Sequence, residues 1–364
     1  MSTSKIYVGM DVHKDSITIA ALFSGRSAPE AVTRLEHDLR KVRRHIDRLA
    51  KQGEIAACYE ASGAGFVLQR AMKDWGYSCE VVAPSLIPKR PGEKRKNDVR
   101  DAIDLARLYR SGDLTPVHIP AASEERVRDL VRCRGAMQKT LLSARHQVTK
   151  FLARRGIAYH EKSRWSSKHM SWLSDMRKSE LLEAEDRIVF DEYLSHLEYV
   201  EARRDALDKR IEIAAQLPEY REKVDRLRCF HAVDVLTAMV LLTEIGDFSR
   251  FRSPRELMGY VGLVPREYSS GEREVRGAIT KSGNSRVRHV LVQAAWSLGK
   301  VPGKPGFAIS KRREGQPAHV VAHAIKARKR LYERFKVLSF RKGRPIAAVA
   351  VAREFAGFIW AVMQ

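Results

Sequence analysis

Four carboxylates and one serine are the residues of this chain best suited to chemistry on a phosphodiester. Asp11 follows a strand in which Tyr7, Gly9 and Asp11 share one face, and Gly9 is expected to leave space beside the carboxylate. Glu60 ends a second strand, just before Ala61-Ser62-Gly63. Asp98 and Asp101 open a helix in which steps of three, four and three put Asp98, Asp101, Leu105 and Leu108 on one stripe. The apolar part of that stripe must pack on the domain, so its two acids are expected to point toward the sheet. Asp104 shares another face with Arg100 and Arg107 and stays outside the site. Acids at strand ends suit two-metal phosphoryl chemistry, because hard divalent cations take oxygen ligands. The plainer explanation of the helical pair is that Asp98 is an N-cap and Asp101 a partner of the helix dipole. That explanation does not account for Asp11 and Glu60.

The serine is Ser270, in the run Tyr268-Ser269-Ser270-Gly271, with Ser269 as the alternative. A hydroxyl is a weak nucleophile until a base or metal activates it, and no histidine stands nearby in sequence. The following glycine gives the backbone freedom for a tight, exposed turn. An ordinary surface turn would look the same. A metal cluster together with a nucleophilic serine suggests DNA strand exchange through a covalent serine link. Further on, Lys281-Ser282-Gly283-Asn284-Ser285 precedes a helix with Val287, Val290, Leu291, Ala294 and Leu298 on one side. Its free N–H groups, with Lys281, Asn284, Arg286 and Arg288, make a candidate nucleic-acid contact, or else a simple helix cap.

The elements that must position these groups fall into three stretches: 1–120, 121–217 and 218–364. The first alternates strand and helix: strands over Lys5–Met10, Ser16–Phe23, Glu54–Tyr59 and Ser78–Ala83, and an amphipathic helix through Leu35, Leu39, Val42, Ile46 and Leu49. Further helices cover Gly65–Trp75 and Asp98–Arg110, and the proline-rich, basic run 84–96 reads as a loop. This pattern predicts a three-layer α/β domain. The second stretch carries two heptad seams, Val127 to Phe151 and Phe190 to Ala214, each with an arginine at a core position, Arg134 and Arg204. They predict a coiled-coil helical hairpin, or pairing between protomers. Between the seams, Trp165 and Trp172 interleave with cations, a pattern that suits base stacking or a packed hydrophobic tip. From Pro218 onward the reading is helical.

The 364 residues carry a formal charge of +23, which points to a polyanionic partner. From Arg273 to Arg344 there are 19 Lys and Arg against three acids, and this is read as a nucleic-acid surface. The apolar tail, Ile346 to Met363, is interrupted by Arg353 and Glu354 and reads as a buried helix rather than a span. No signal peptide and no membrane partner are expected, and the four scattered cysteines fit a reducing cytoplasm, with no zinc site.

The strings Val8-Gly9-Met10-Asp11-Val12-His13-Lys14, Tyr59-Glu60-Ala61-Ser62-Gly63 and Lys96-Asn97-Asp98-Val99-Arg100-Asp101-Ala102 resemble the N-terminal half of the DEDD insertion-sequence transposases of the IS110 family. A second set resembles the family's C-terminal domain: Glu244-Ile245-Gly246-Asp247, Tyr260 to Pro265, Ser269-Ser270-Gly271, and Ile279 to Asn284 with Arg288. The resemblance covers nearly the whole chain in order. It implies a ribonuclease-H-like (RuvC-like) mixed-sheet domain, a coiled-coil hairpin and a helical transposase domain. Asp11, Glu60, Asp98 and Asp101 would bind Mg2+, with Mn2+ as a substitute, and Ser270 would attack DNA. It also implies double-stranded donor and target DNA, a noncoding bridge RNA as guide, and a dimer assembling to a tetramer on the bacterial nucleoid with sites shared between chains. The alternative is a metal-dependent RuvC-like junction nuclease with a structural serine. A sugar-kinase-like ATPase lacks its glycine-rich adenosine loop here, and a non-catalytic RNA-binding protein would leave the four acids accidental. One departure from the family is Cys229 to Asp234, which lacks the glycines of a hairpin many relatives carry; no role is assigned to it.

Overall fold

Aliphatic residues along Lys5–Val12 (β1) and Ser16–Phe23 (β2) make an antiparallel hairpin, paired from Ile6↔Phe23 to Val12↔Ile17. The computed structural model describes residues 4–25, 31–88, 97–270 and 273–364, with backbone alone for 268–270 and 273–276. By its internal packing the chain divides into two units, Met1–Ile119 and Pro120–Gln364.

In the first unit, β3 (Ala31–Glu36) pairs antiparallel with β2, while β4 (Glu54–Glu60) and β5 (Ser78–Val82) run parallel to β1. The order is β3-β2-β1-β4-β5. One face of this mixed sheet packs Ile6, Val8, Met10, Ile19 and Tyr59 against α1 (Leu39–Ala50) and α2 (Val67–Asp74). The other face receives α3 (Asp98–Ser111), where Cys58 and Val82 meet Leu105. The expected three layers are therefore present. The helix expected through Leu35 begins only at Leu39, because Asp38 caps it through a bond from the Arg40 N–H (2.7 Å); Leu35 belongs to β3 and pairs with Ile17.

Gly9 has a different purpose from the one expected. A Cβ at this position would lie 2.1 Å from the Ala102 carbonyl oxygen and 2.5 Å from the Ala106 nitrogen. Helix α3 crosses directly over Gly9, and the missing side chain permits that approach.

The second unit opens with α4 (Ala122–Ala153), followed by α5 (Ser167–Met176) and α6 (Ala184–Ala214). α4 and α6 pair antiparallel. Leu141, Ala144, Val148 and Phe151 pack with Phe190, Leu194, Leu197 and Val200 in one apolar cluster. Ion pairs fix the register: Arg134 grips Asp208 at 2.6 and 3.2 Å, Arg145 meets Glu201 at 2.7 Å, and Arg155 pairs with Asp186. Arg204 pairs along its own helix with Asp205 (2.6 Å). Trp165, Trp172, Tyr159 and His169 pack together at the far end of the pair with centroids 4.5–5.7 Å apart, mostly edge-on or tilted and stacked only between His169 and Trp172, so these aromatics form a packed tip.

The remaining helices are α7 (Pro218–Arg228), α8 (Val235–Ile245), α9 (Pro254–Tyr260), α10 (Ser285–Leu298), α11 (Phe307–Arg313), α12 (Ala318–Lys342) and α13 (Arg344–Val362). α13 has the length and composition to cross a membrane, yet Ala347, Val351, Ala352, Phe355 and Ile359 lie in the helical core. The C-terminal stretch is not wholly helical. β6 (Pro265–Ser270) and β7 (Arg273–Ile279) form an antiparallel hairpin between α9 and α10.

Candidate functional site

Asp11 sits on β1 where its side chain faces the α3 layer, 16% exposed. The hairpin turn returns the chain at His13, whose N–H donates to the Ser16 carbonyl (2.9 Å). His13 Nε2 then lies 3.1 Å from Asp11 Oδ2 and 3.6 Å from Asp98 Oδ1. Ligand atoms of Asp11, His13 and Asp98 all fall within 4.8 Å of one another. Asn97, not Asp98, caps α3, accepting from the Val99 N–H (3.0 Å). That leaves the Asp98 carboxylate in the first turn, turned toward His13. Arg34 of β3 approaches Asp98 at 4.0 Å, and the His13 carbonyl is held by the His37 ring (2.7 Å).

The other two acids are near in backbone terms. Met10 pairs with Tyr59, so Glu60 stands one register step on, beside Asp11, and is exposed. Asp101 lies one turn along α3 from Asp98. Neither carboxylate joins the 4.8 Å group. Asp104 pairs with Arg107 (3.7 Å) on its own helix.

These residues fit a divalent cation. Ligands at about 2.1 Å around an octahedral ion are about 3 Å apart, close to the His13–Asp11 separation. Across the ladder, Thr18 pairs with Asp11, and its buried hydroxyl has no hydrogen-bond partner among the described residues. An unsatisfied buried polar atom next to a carboxylate suits a site that gains its ligand or water on binding. Sequence reasoning gives His13 no role. Its only signal there is a place two residues after Asp11, at a hairpin turn.

In the second unit, Ser270 is the last residue of β6 and pairs in backbone register with Arg273, as Ser269 does with Glu274. Both serine side chains, and Gly271, lie outside the described residues. The base of this hairpin is firmly built. The Thr280 N–H donates to the Val264 carbonyl (2.9 Å) and the Lys281 N–H to that of Gly262 (3.1 Å). Gly262 and Gly283, both at positive φ, let the two segments cross: a Cβ on Gly262 would meet the Ser282 oxygen at 2.1 Å, and one on Gly283 the Tyr260 oxygen at 1.8 Å.

Behind this crossing stands Glu244, whose side chain is 1% exposed. Arg132 of α4 donates to both its oxygens (2.7 and 2.8 Å), and Asn284 Nδ2 to one (2.8 Å). Burial pushes the Glu244 carboxyl upward, but the bonds from Arg132 and Asn284 and the charges of Arg132 and Arg286 outweigh it and hold the group below its ordinary value.

The expected contacts at the start of α10 divide. Asn284 is committed internally, because its Oδ1 caps the helix by accepting from the Arg286 and Val287 N–H groups (3.0 and 3.1 Å). Arg288 donates to the Val261 and Ser282 carbonyls (2.8 and 3.0 Å), and burial lowers its pKa. Two of the N–H groups expected to be free for phosphate are therefore occupied. Lys281 and Arg286 remain exposed.

Residues 8–155 match a transposase model named for the DEDD IS110 enzymes, and residues 224–304 match the "Transposase IS116/IS110/IS902 family" model. A Sinorhizobium fredii chain bearing the transposase name y4qE is 39% identical over 98% of this chain and 88% of its own length. The transposase for insertion sequence element IS1533 of Leptospira borgpetersenii is 36% identical over 92% of this chain and 96% of its own. A pilin gene-inverting protein of Moraxella bovis is 30% identical over 131 residues, 35% of this chain and 40% of that one.

Proposed function

Because the chain belongs to the IS116/IS110 family of transposases, DNA is its substrate, and we propose that it moves DNA by serine-linked strand exchange assisted by a DEDD metal site. The observation that carries this reading is the meeting of Asp11, His13 and Asp98 where the sheet faces α3, with Glu60 and Asp101 adjacent. The strand order β3-β2-β1-β4-β5, with α3 on one face, supports the RuvC-like reading of residues 1–120. Asp11, Glu60, Asp98 and Asp101 would hold Mg2+, or Mn2+, and His13 adds a nitrogen donor. Once bound there, a divalent ion would supply neutralisation of the charge that builds at the phosphorus and the leaving oxygen.

In the first step Ser270 Oγ bonds to phosphorus, the bond from phosphorus to the strand oxygen breaks, and the hydroxyl proton passes to solvent or a nearby base. The phosphoserine diester retains the energy of the broken bond, so a second strand's hydroxyl can displace the serine without ATP. Inversion of a gene requires cut strands to be rejoined, and the Moraxella relative is named as a gene-inverting protein. Lys281 and Arg286 stand beside the serine hairpin as backbone contacts. A noncoding bridge RNA as selector of donor and target, and a dimer-to-tetramer synapse built through the helical pair as a coiled coil, complete the reading.

A recombination assay on two plasmids bearing the native flanking DNA tests it. Asp11→Asn and Ser270→Ala should each abolish product. A mixture of the two variants should regain activity, because the acids and the serine are drawn from different protomers. Under the rival junction-nuclease reading, Ser270→Ala would still cut at the wild-type rate.

A further inference from the structure

Helix α12 buries one stripe, Val320, Ala324, Ala327, Leu331 and Phe335. Steps of seven and four place Lys329, Lys336 and Phe340 along the opposite side. Phe340 is 94% exposed, an unusual position for a large apolar ring, and Val337 and Ile346 beside it are about half exposed. The surrounding cations are exposed as well: Lys326, Lys329, Lys336, Arg341, Lys342 and Arg344. None of these six has an ion-pair partner among the described residues, whereas Arg330 and Arg334 are paired with Glu354. No acid occurs from residue 334 to 353, although Glu333 shares the outward face.

We propose that the C-terminal half of α12, with the start of α13, binds an unpaired nucleotide strand. Phe340 stacks on a base, and Lys336, Arg341, Lys342 and Arg344 hold the flanking phosphates. An exposed flat ring set among unpaired cations is the combination that single-strand recognition uses, since every base offers a π-face and every linkage a charge. A second copy of this chain fits poorly. A two-fold interface would set the same cations against one another, and any other face belongs to a molecule carrying +23. A duplex would present phosphates but no open base face for the ring.

The site concerns binding alone, and no strand cleavage enters the test, so its failure leaves the acid and serine chemistry standing. The full-length protein is titrated with fluorescent oligouridylate, oligothymidylate and a mixed-sequence duplex of about 16 nucleotides or pairs. Phe340→Ala should weaken single-strand binding at least about fivefold and leave duplex binding unchanged. Phe340→Trp should retain it. Lys336→Gln with Lys342→Gln should flatten the slope of log affinity against log salt by about 0.7 for each lysine replaced. Ultraviolet crosslinks to the bound strand should map to the peptide containing Phe340. Tighter binding of oligouridylate identifies RNA as the strand and tighter binding of oligothymidylate identifies DNA; both uphold the site. Wild-type affinity of Phe340→Ala for single strands, or a drop in oligomer mass with binding intact, would overturn it. The ring is almost wholly in solvent, so its replacement is expected to leave the fold intact.

Discussion

Asp11 and His13 show how a candidate site can be half visible in a sequence. The carboxylate at the end of an alternating strand is legible, because the residues before it already declare a buried face. The imidazole is not, because its position depends on a turn returning the chain from β1 to β2. Replacing His13 with Ala should lower Mn2+ affinity, measured calorimetrically, by at least about 10-fold, the smallest cost expected even for losing an outer-shell partner, while Asp11→Asn should eliminate binding. Wild-type affinity in His13→Ala would remove the nitrogen donor from the site. Glu244 gives a second prediction at this level. Glu244→Ala leaves Arg132 without its partner and should cost about 2–4 kcal/mol, near the lower end because Arg132 is a third exposed. The Glu244 carboxyl is depressed in the folded state. Its contribution is therefore present above its ordinary value of 4.5 and is lost as pH falls below it through the depressed value. Urea melts of wild type and Glu244→Gln should thus converge at acid pH. A difference that persists unchanged in acid would refute a stabilising role for the ionised Glu244 carboxylate.

Among the elements, α3 and the β6–β7 hairpin carry most of the consequence. Gly9→Ala should push α3 off the sheet, costing about 1–3 kcal/mol and separating Asp98 from Asp11. Loss of metal binding together with a lower melting temperature would show this; unaltered metal binding would argue against it. The sheet is legible wherever strands have a buried face. β3 is not: its burial alternates between half-buried and exposed, and its last leucine matches the helical spacing of α1. The serine hairpin escapes for a related reason. Pro265-Arg-Glu-Tyr-Ser-Ser and Arg273-Glu-Val-Arg-Gly-Ala-Ile have too few apolar residues to set up a two-residue period. The two helical seams are readable because long apolar periodicity survives an arginine or two, and Arg134 meets an acid on the facing helix.

For the whole molecule, a charge of +23 makes binding to nucleic acid depend steeply on salt. Affinity for any duplex should fall by orders of magnitude between low and physiological ionic strength, and a salt-insensitive affinity would contradict a phosphate-dominated interface. In the proposed reaction Asp11 and Ser270 are both required for one phosphodiester to be cut. The deciding measurement is a denaturing gel and peptide mass spectrum of protein trapped on its flanking DNA with a divalent cation present. A DNA adduct on Ser270, lost in Asp11→Asn and in Ser270→Ala, is the expected result. Cut DNA carrying no protein, released equally well by Ser270→Ala, would contradict it.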